Sequence, residues 1–307
     1  MKRRDILAAG ALGATMLPLA HASGAGAAPA GAGDPHPLGI NPPPPAMSAR
    51  ADTARLGDVD LWYWDTGGPG TPIVLLHPAT GSGHIWAYQQ AAFAKAGRRV
   101  IGYSRRGHRG STSGDPASPG TGADDLRRLL DHLRIPRAHL VGTAAGGFVA
   151  GSFAVSWPER VQTLTLACTI LSPADREVAA MIPSLREPWY NALPQDFREL
   201  SPSYRATNKA GQALWHELHE RSREGNPPVS QPTGAPATLA AIAQFKMPVL
   251  LISGDADLIS PPPIARLFAR TIPGSELAVL TECGHSAYWE RPELFNAAIL
   301  DFLKRHA

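Results

Sequence analysis

Leu140-Val141-Gly142-Thr143-Ala144-Ala145-Gly146-Gly147 is the stretch on which the fold of this chain is read. Two apolar residues lead into a run of small ones, and helical spacing of apolar residues follows from Phe148 to Trp157. This predicts a strand turning sharply into a helix, with small residues letting the backbone fold tightly and lift the central side chain clear. The frame is G-x-S-x-G with alanine in serine's place. Ala144 therefore presents a methyl group where a nucleophilic hydroxyl would stand, and ordinary serine esterase chemistry is closed to the sequence as written.

Outward from this turn lie other continuous apolar runs: Ile73 to Leu76, Val100 to Tyr103, Val161 to Cys168, Val249 to Ile252 and Leu277 to Leu280. Runs apolar on both faces predict strands covered on both sides, hence an α/β fold with a parallel sheet and crossover helices. Such sheets bind ligands beyond the carboxyl ends of their strands. Upstream, Leu56 to Asp65 alternates before a Gly-Gly-Pro-Gly turn, which predicts a hairpin strand and a folded part opening near Arg55. The strand rhythm stops between Leu171 and Lys246, where aromatic residues sit among proline-broken helical stretches. That divides the chain into a core over 50–170, a helical cap over 171–246 and a second core part over 247–307.

The amino terminus carries Lys2, Arg3 and Arg4, an apolar run from Ile6 to Leu19, and Ala20-His21-Ala22 as a cleavage site. Residues 1–22 read as a signal peptide, and Arg3-Arg4-Asp5-Ile6-Leu7 fits the twin-arginine kind. A periplasmic or secreted protein is expected. The Gly, Ala and Pro of 23–49 read as a flexible linker. No stretch reaches the roughly 20 apolar residues of a stable membrane span. The formal charge is +3, with Lys and Arg scattered rather than striped, so nucleic acid is not an expected partner. Cys168 and Cys283 are the two cysteines, too few for a disulfide framework, although one bridge between them stays open.

Taken in order, Leu75-Leu76-His77-Pro78-Ala79-Thr80-Gly81, Tyr103-Ser104-Arg105-Arg106-Gly107, the small-residue turn, Gly254-Asp255-Ala256-Asp257 with Pro261, and Gly284-His285 resemble the α/β-hydrolase superfamily. Within it they resemble the enol-lactonase and esterase-like branch with a helical cap. The resemblance implies a mostly parallel central sheet flanked by helices. It implies that Asp257 orients His285 as a base, in the chain order nucleophile position, acid, histidine, and that Asp255 serves turn geometry. It also implies an oxyanion hole from the backbone N–H groups of Ala79 and Ala145. Pro78 and Arg109 stand where relatives often carry glycine, and His108 reads as a loop residue.

Candidate substrate contacts are His77 and the cap aromatics Trp189, Tyr190 and Trp215, although aromatics at helical spacing are also the usual core of a lid. His216-Glu217-Leu218-His219 does not complete the zinc motif His-Glu-x-x-His, which would need its second histidine at position 220, where Glu220 stands, so no metal and no cofactor is expected. Neither cysteine sits on an elbow, so both read first as small buried residues rather than as replacement nucleophiles. Three functions remain open: an ester or lactone hydrolase lineage acting on small apolar molecules with Ala144 in place of serine, a cofactor-free His-Asp enzyme of oxygenase or lyase type, and a non-catalytic small-molecule binder. Oligomeric state is not legible in the sequence.

Overall fold

In the computed structural model the residues described are 44–45, 48–227 and 229–306. The signal peptide read over 1–22, and nearly all of the linker read over 23–49, lie outside the described residues. The apolar runs form strands. These are β1 Arg50–Arg55, β2 Asp60–Asp65, β3 Ile73–Leu76, β4 Val100–Tyr103, β5 Ala138–Thr143, β6 Val161–Ala167, β7 Val249–Gly254 and β8 Glu276–Leu280. They make one sheet in the order β1-β2-β4-β3-β5-β6-β7-β8. From β4 to β8 the neighbours are parallel, while β2 pairs antiparallel with both β1 and β4.

The hairpin differs from the sequence reading. Its second strand is β2, but its partner precedes it, so the folded part opens at Arg50 rather than near Arg55. Only Ala54 of β1 is buried, because an edge strand has little core to face, and a hydrophobic pattern is therefore absent.

Helices α1 Ala87–Lys95, α2 Gly122–His132 and α3 Ala145–Ser156 connect the earlier strands. Between β6 and β7 come α4 Arg176–Ser184, α5 Gln195–Glu199, α6 Pro202–Thr207, α7 Lys209–Glu220 and α8 Leu239–Ile242; α9 Pro262–Thr271, α10 Ala287–Glu290 and α11 Pro292–His306 follow. Alternation along each strand sends neighbours to opposite faces. Val74, Leu76 and Leu140 pack with Leu126 and Leu129 of α2 and Phe153 of α3. Ile73, Leu75 and Val141 pack with Phe93 of α1 and Phe295 and Phe302 of α11 on the other side. Every residue of β3 is consequently buried.

The β5–α3 junction is the tightest point of this packing. Ala144 has φ 48° and ψ −116°. That conformation is held by its N–H donating to Ala167 O at 3.0 Å and its carbonyl accepting from Gly147 N at 2.9 Å and Thr169 Oγ1 at 2.8 Å. A Cβ on Gly142 would come within 2.6 Å of Gly146 O, one on Gly147 within 2.6 Å of Thr169 Oγ1, and one on Gly146 would overlap the Leu76 carbonyl. The start of α3 thus lies directly on the end of β3, which only glycine permits.

Gly146→Ala is expected to lower stability by about 3 kcal/mol or more, since the obstructing atom is backbone and cannot swing aside. Gly97→Ala, where φ is 75° but nothing lies within 4 Å, is expected to cost about 1 kcal/mol. Urea unfolding of both variants checks the contrast.

Candidate active site

Where β3, β5 and β6 end, their following loops enclose a cavity of about 220 Å³. Ala79, Thr80, Ala144, Ala145, Cys168 and His285 are among the residues lining it. Ala144 enters it from the β5–α3 turn, at the first residue before a helix N-terminus, where backbone N–H groups lack intrahelical acceptors. Neither Ala79 N nor Ala145 N has an acceptor among the described residues. Both residues line the same cavity as Ala144, and two unaccepted backbone donors at its wall are an arrangement able to hold a developing oxyanion.

His285, after β8, donates from Nδ1 to Asp257, with Oδ2 at 2.9 Å and Oδ1 at 3.0 Å. Asp257, after β7, also accepts from Ile259 N at 2.7 Å, Ser260 N at 2.9 Å and Ser260 Oγ at 2.9 Å. Burial opposes the Asp257 charge, but the His285 ring and these donors outweigh it and hold the carboxyl below its ordinary value. Burial likewise opposes the imidazolium, but Asp257, with Glu199 and Glu290 beyond it, raises His285 above its ordinary value. The pair leaves Nε2 without a partner among the described residues, as the nitrogen able to take a proton in the cavity. Asp255, the competing carboxylate, is turned to its own loop and accepts from Cys283 N at 3.2 Å.

The four candidate substrate contacts are not among the residues lining this cavity. His77 is fully buried behind its wall, donating from Nδ1 to Pro78 O at 2.7 Å and accepting at Nε2 from Arg105 N at 3.0 Å. Burial, with Arg105 beside it, holds its pKa well below the ordinary value, so the ring is a neutral strut for the Pro78–Ala79 loop. Trp189 is 56% exposed. Tyr190 is clasped between the guanidinium groups of Arg186 and Arg198, 4.8 and 5.6 Å from its ring centre. Trp215 is buried against the His285 loop, donating from Nε1 to Ser286 Oγ at 3.2 Å and stacking on His219. Tyr190 and Trp215 thus pack within the inserted helices and against the core, and Trp189 faces outward.

The two histidines of the rejected metal pattern have protein partners: His216 lies 3.4 Å from Asp196, and His219 donates to Thr80 O at 3.1 Å. His108 is buried, donates to Arg106 O at 2.9 Å, and is pushed down to about 3 by burial and by Arg105. Both cysteines are free thiols, and burial pushes each well above its ordinary value, which keeps Cys168 a thiol although it lines the cavity.

Two lining residues carried no signal in the sequence. Phe148 looks like any apolar residue of α3, and Glu199 like any charge on a helical stretch. Glu199 is in fact buried, accepting from Thr80 Oγ1 at 3.0 Å, Ser286 Oγ at 3.1 Å and Gln195 Nε2 at 2.6 Å. It joins the inserted helices to the loop carrying Ala79 and the loop carrying His285.

The alpha/beta hydrolase family model matches residues 73–298. The chain is 31% identical to a 2-hydroxy-6-oxononadienedioate/2-hydroxy-6-oxononatrienedioate hydrolase of Burkholderia vietnamiensis, over 81% of this chain and 92% of that one. Among solved structures it is similar to a thermophilic esterase from Thermogutta terrifontis, with TM-score 0.68 and 26% identity over 84% of this chain and 100% of the other. It is also similar to the enol-lactonase from Burkholderia xenovorans, with TM-score 0.65 and 26% identity over 82% and 100%.

Glu290 fastens the other side of the His285 loop, accepting from Gly284 N at 3.1 Å and Ser201 N at 2.8 Å. Burial outweighs these donors and raises its pKa to about 7 from an ordinary 4.5. Between those two values the folded protein binds more protons than the unfolded chain, so this group's contribution to stability declines as pH rises from about 4.5 to 7. Glu290→Gln is expected to flatten that decline by on the order of 3 kcal/mol. Urea unfolding at pH 5 and pH 7.5, native chain against variant, measures the difference.

Proposed function

The chain belongs to the alpha/beta hydrolase family, and from that premise we propose that its site is built for ester or lactone hydrolysis, with Ala144 in the nucleophile's place. One observation carries the reading: the Asp257–His285 pair and the unaccepted N–H groups of Ala79 and Ala145 converge on the cavity that Ala144 enters. With serine at 144, His285 Nε2 would take the hydroxyl proton as the oxygen attacks the carbonyl carbon, and the two N–H groups would receive the charge on the carbonyl oxygen. With alanine, water is the remaining nucleophile. Its proton passes to Nε2 and then to the departing alkoxide, yielding acid and alcohol slowly.

The substrate class follows from the walls. Among the described lining residues there is no Lys or Arg, while Glu199 supplies a buried carboxylate. A dianion of the kind named for the Burkholderia vietnamiensis hydrolase finds no counter-charge there, and an uncharged apolar ester or lactone meets no unpaired charge. The proposal carries with it export through the leader at residues 1–22. A second reading, in which His285 removes a proton from a carbon acid without an acyl-enzyme, is favoured by Nε2 having no hydroxyl to serve.

Loss of a catalytic-triad nucleophile lowers turnover by roughly a millionfold while the remaining groups keep roughly a thousandfold over water. Ala144→Ser is therefore expected to raise hydrolysis of neutral aryl esters and lactones by at least about a thousandfold, and adding His285→Ala to abolish the gain. A serine variant no faster than the native chain across the panel would remove the ester and lactone reading and leave the base-only one. Deuterium exchange alpha to a ketone carbonyl, lost in His285→Ala, would then support the latter.

A further inference from the structure

A larger cavity, about 390 Å³, lies on the far side of Phe148. Leu171, Pro173, Ala174, Pro236 and Ala237 contribute to its lining, and Phe148 is the one residue that lines both cavities. Phe148 stands on the first turn of α3, four residues after Ala144, half-buried against the core. Three of the four polar side chains around the larger cavity are engaged within the protein, Thr238 Oγ1 by accepting from Ala241 N at 3.1 Å, and Thr233 supplies the remaining hydroxyl. Ser172 donates its hydroxyl to Ala237 O, and Asp175 accepts from Leu239 N at 2.7 Å, closing the start of α8. The rest of the wall is mostly apolar and carries no Lys, Arg or His, so its occupant is an uncharged, largely apolar chain or ring rather than an anionic headgroup.

Resting on the hydrolase reading above, we propose that this cavity is the chamber for the apolar arm of the substrate, and that the Phe148 ring is the partition between it and the carbonyl site at Ala144. The ester or lactone taken by the protein then carries a medium-length alkyl or aryl arm, longer than the 220 Å³ cavity alone would hold. Rotation of one half-buried ring joins the two spaces, and no movement of the inserted helices is needed. Phe148 is in this view a specificity-determining residue that leaves the proton-transfer groups untouched.

The chamber is tested on the native chain by calorimetric binding of methyl ketones from 2-butanone to 2-dodecanone, which present a carbonyl and cannot be hydrolysed. Affinity is expected to rise with chain length by up to roughly fourfold per buried methylene. Ala174→Phe, which fills the chamber from its exposed rim, is expected to erase that rise while leaving 2-butanone binding unchanged. In the Ala144→Ser background, Phe148→Ala is expected to raise the decanoate-to-acetate ratio of kcat/KM for nitrophenyl esters at least about tenfold, and Ala174→Phe to lower it. A chain-length profile identical in native and Ala174→Phe proteins would overturn the chamber, whatever the esters do. A serine variant inactive on every ester would defeat the hydrolase reading instead, and the ketone series would still decide the chamber.

Discussion

The backbone at Ala144 is the constraint from which the site follows. A positive φ at a residue with a Cβ is unfavourable, and it survives here because three hydrogen bonds and the contact of α3 with β3 leave the chain no other path. That path places Ala144 and Ala145 in the wall of the cavity and sets Phe148 at its edge one turn later. None of these consequences requires an oxygen on residue 144. The geometry for a nucleophile is a property of the glycines around it.

A second layer fixes the rest of the site to that turn. His77 and Arg105 both donate to the Pro78 carbonyl, which anchors the loop carrying the Ala79 N–H. Glu199 and Glu290 grip the residues on either side of His285. The imidazole is thus held from three directions, by Asp257 through its ring and by two buried carboxylates through its loop. Both of those carboxylates touch the inserted helices as well, Glu199 by belonging to α5 and Glu290 through Ser201. Displacing those helices would disturb the His285 imidazole, so the geometry favours side-chain rearrangement as the route for a ligand.

Much of this was legible in the chain because parallel strands covered on both faces are apolar nearly without a break, and β3, β4 and β7 announce themselves that way, while β6 does so less plainly, with Gln162, Thr163 and Thr165 among its apolar residues. The turn at 142–147 and the positions of Asp257 and His285 were legible for the same reason, each falling just after such a run. β1 was not, since its outer edge meets solvent and only Ala54 needs to be apolar. Glu199 and Phe148 were not, because burial next to a cavity is decided by how the inserted helices fold back, and no local pattern records it. The aromatics Tyr190 and Trp215 lie outside the cavity wall for the converse reason: large rings in an insertion pack first into its own interior.

The polar first strand has a bearing on how the protein behaves in company. Among the described residues no other strand pairs with the outer edge of β1, and open edges of that kind are templates on which a second chain can extend the ladder. Arg50, Asp52 and Arg55 crowd that edge with charge over only six residues. A neighbouring strand would have to strip water from all three to add itself there. The residues that make β1 hard to recognise are therefore of the kind that disfavours edge-to-edge pairing of strands.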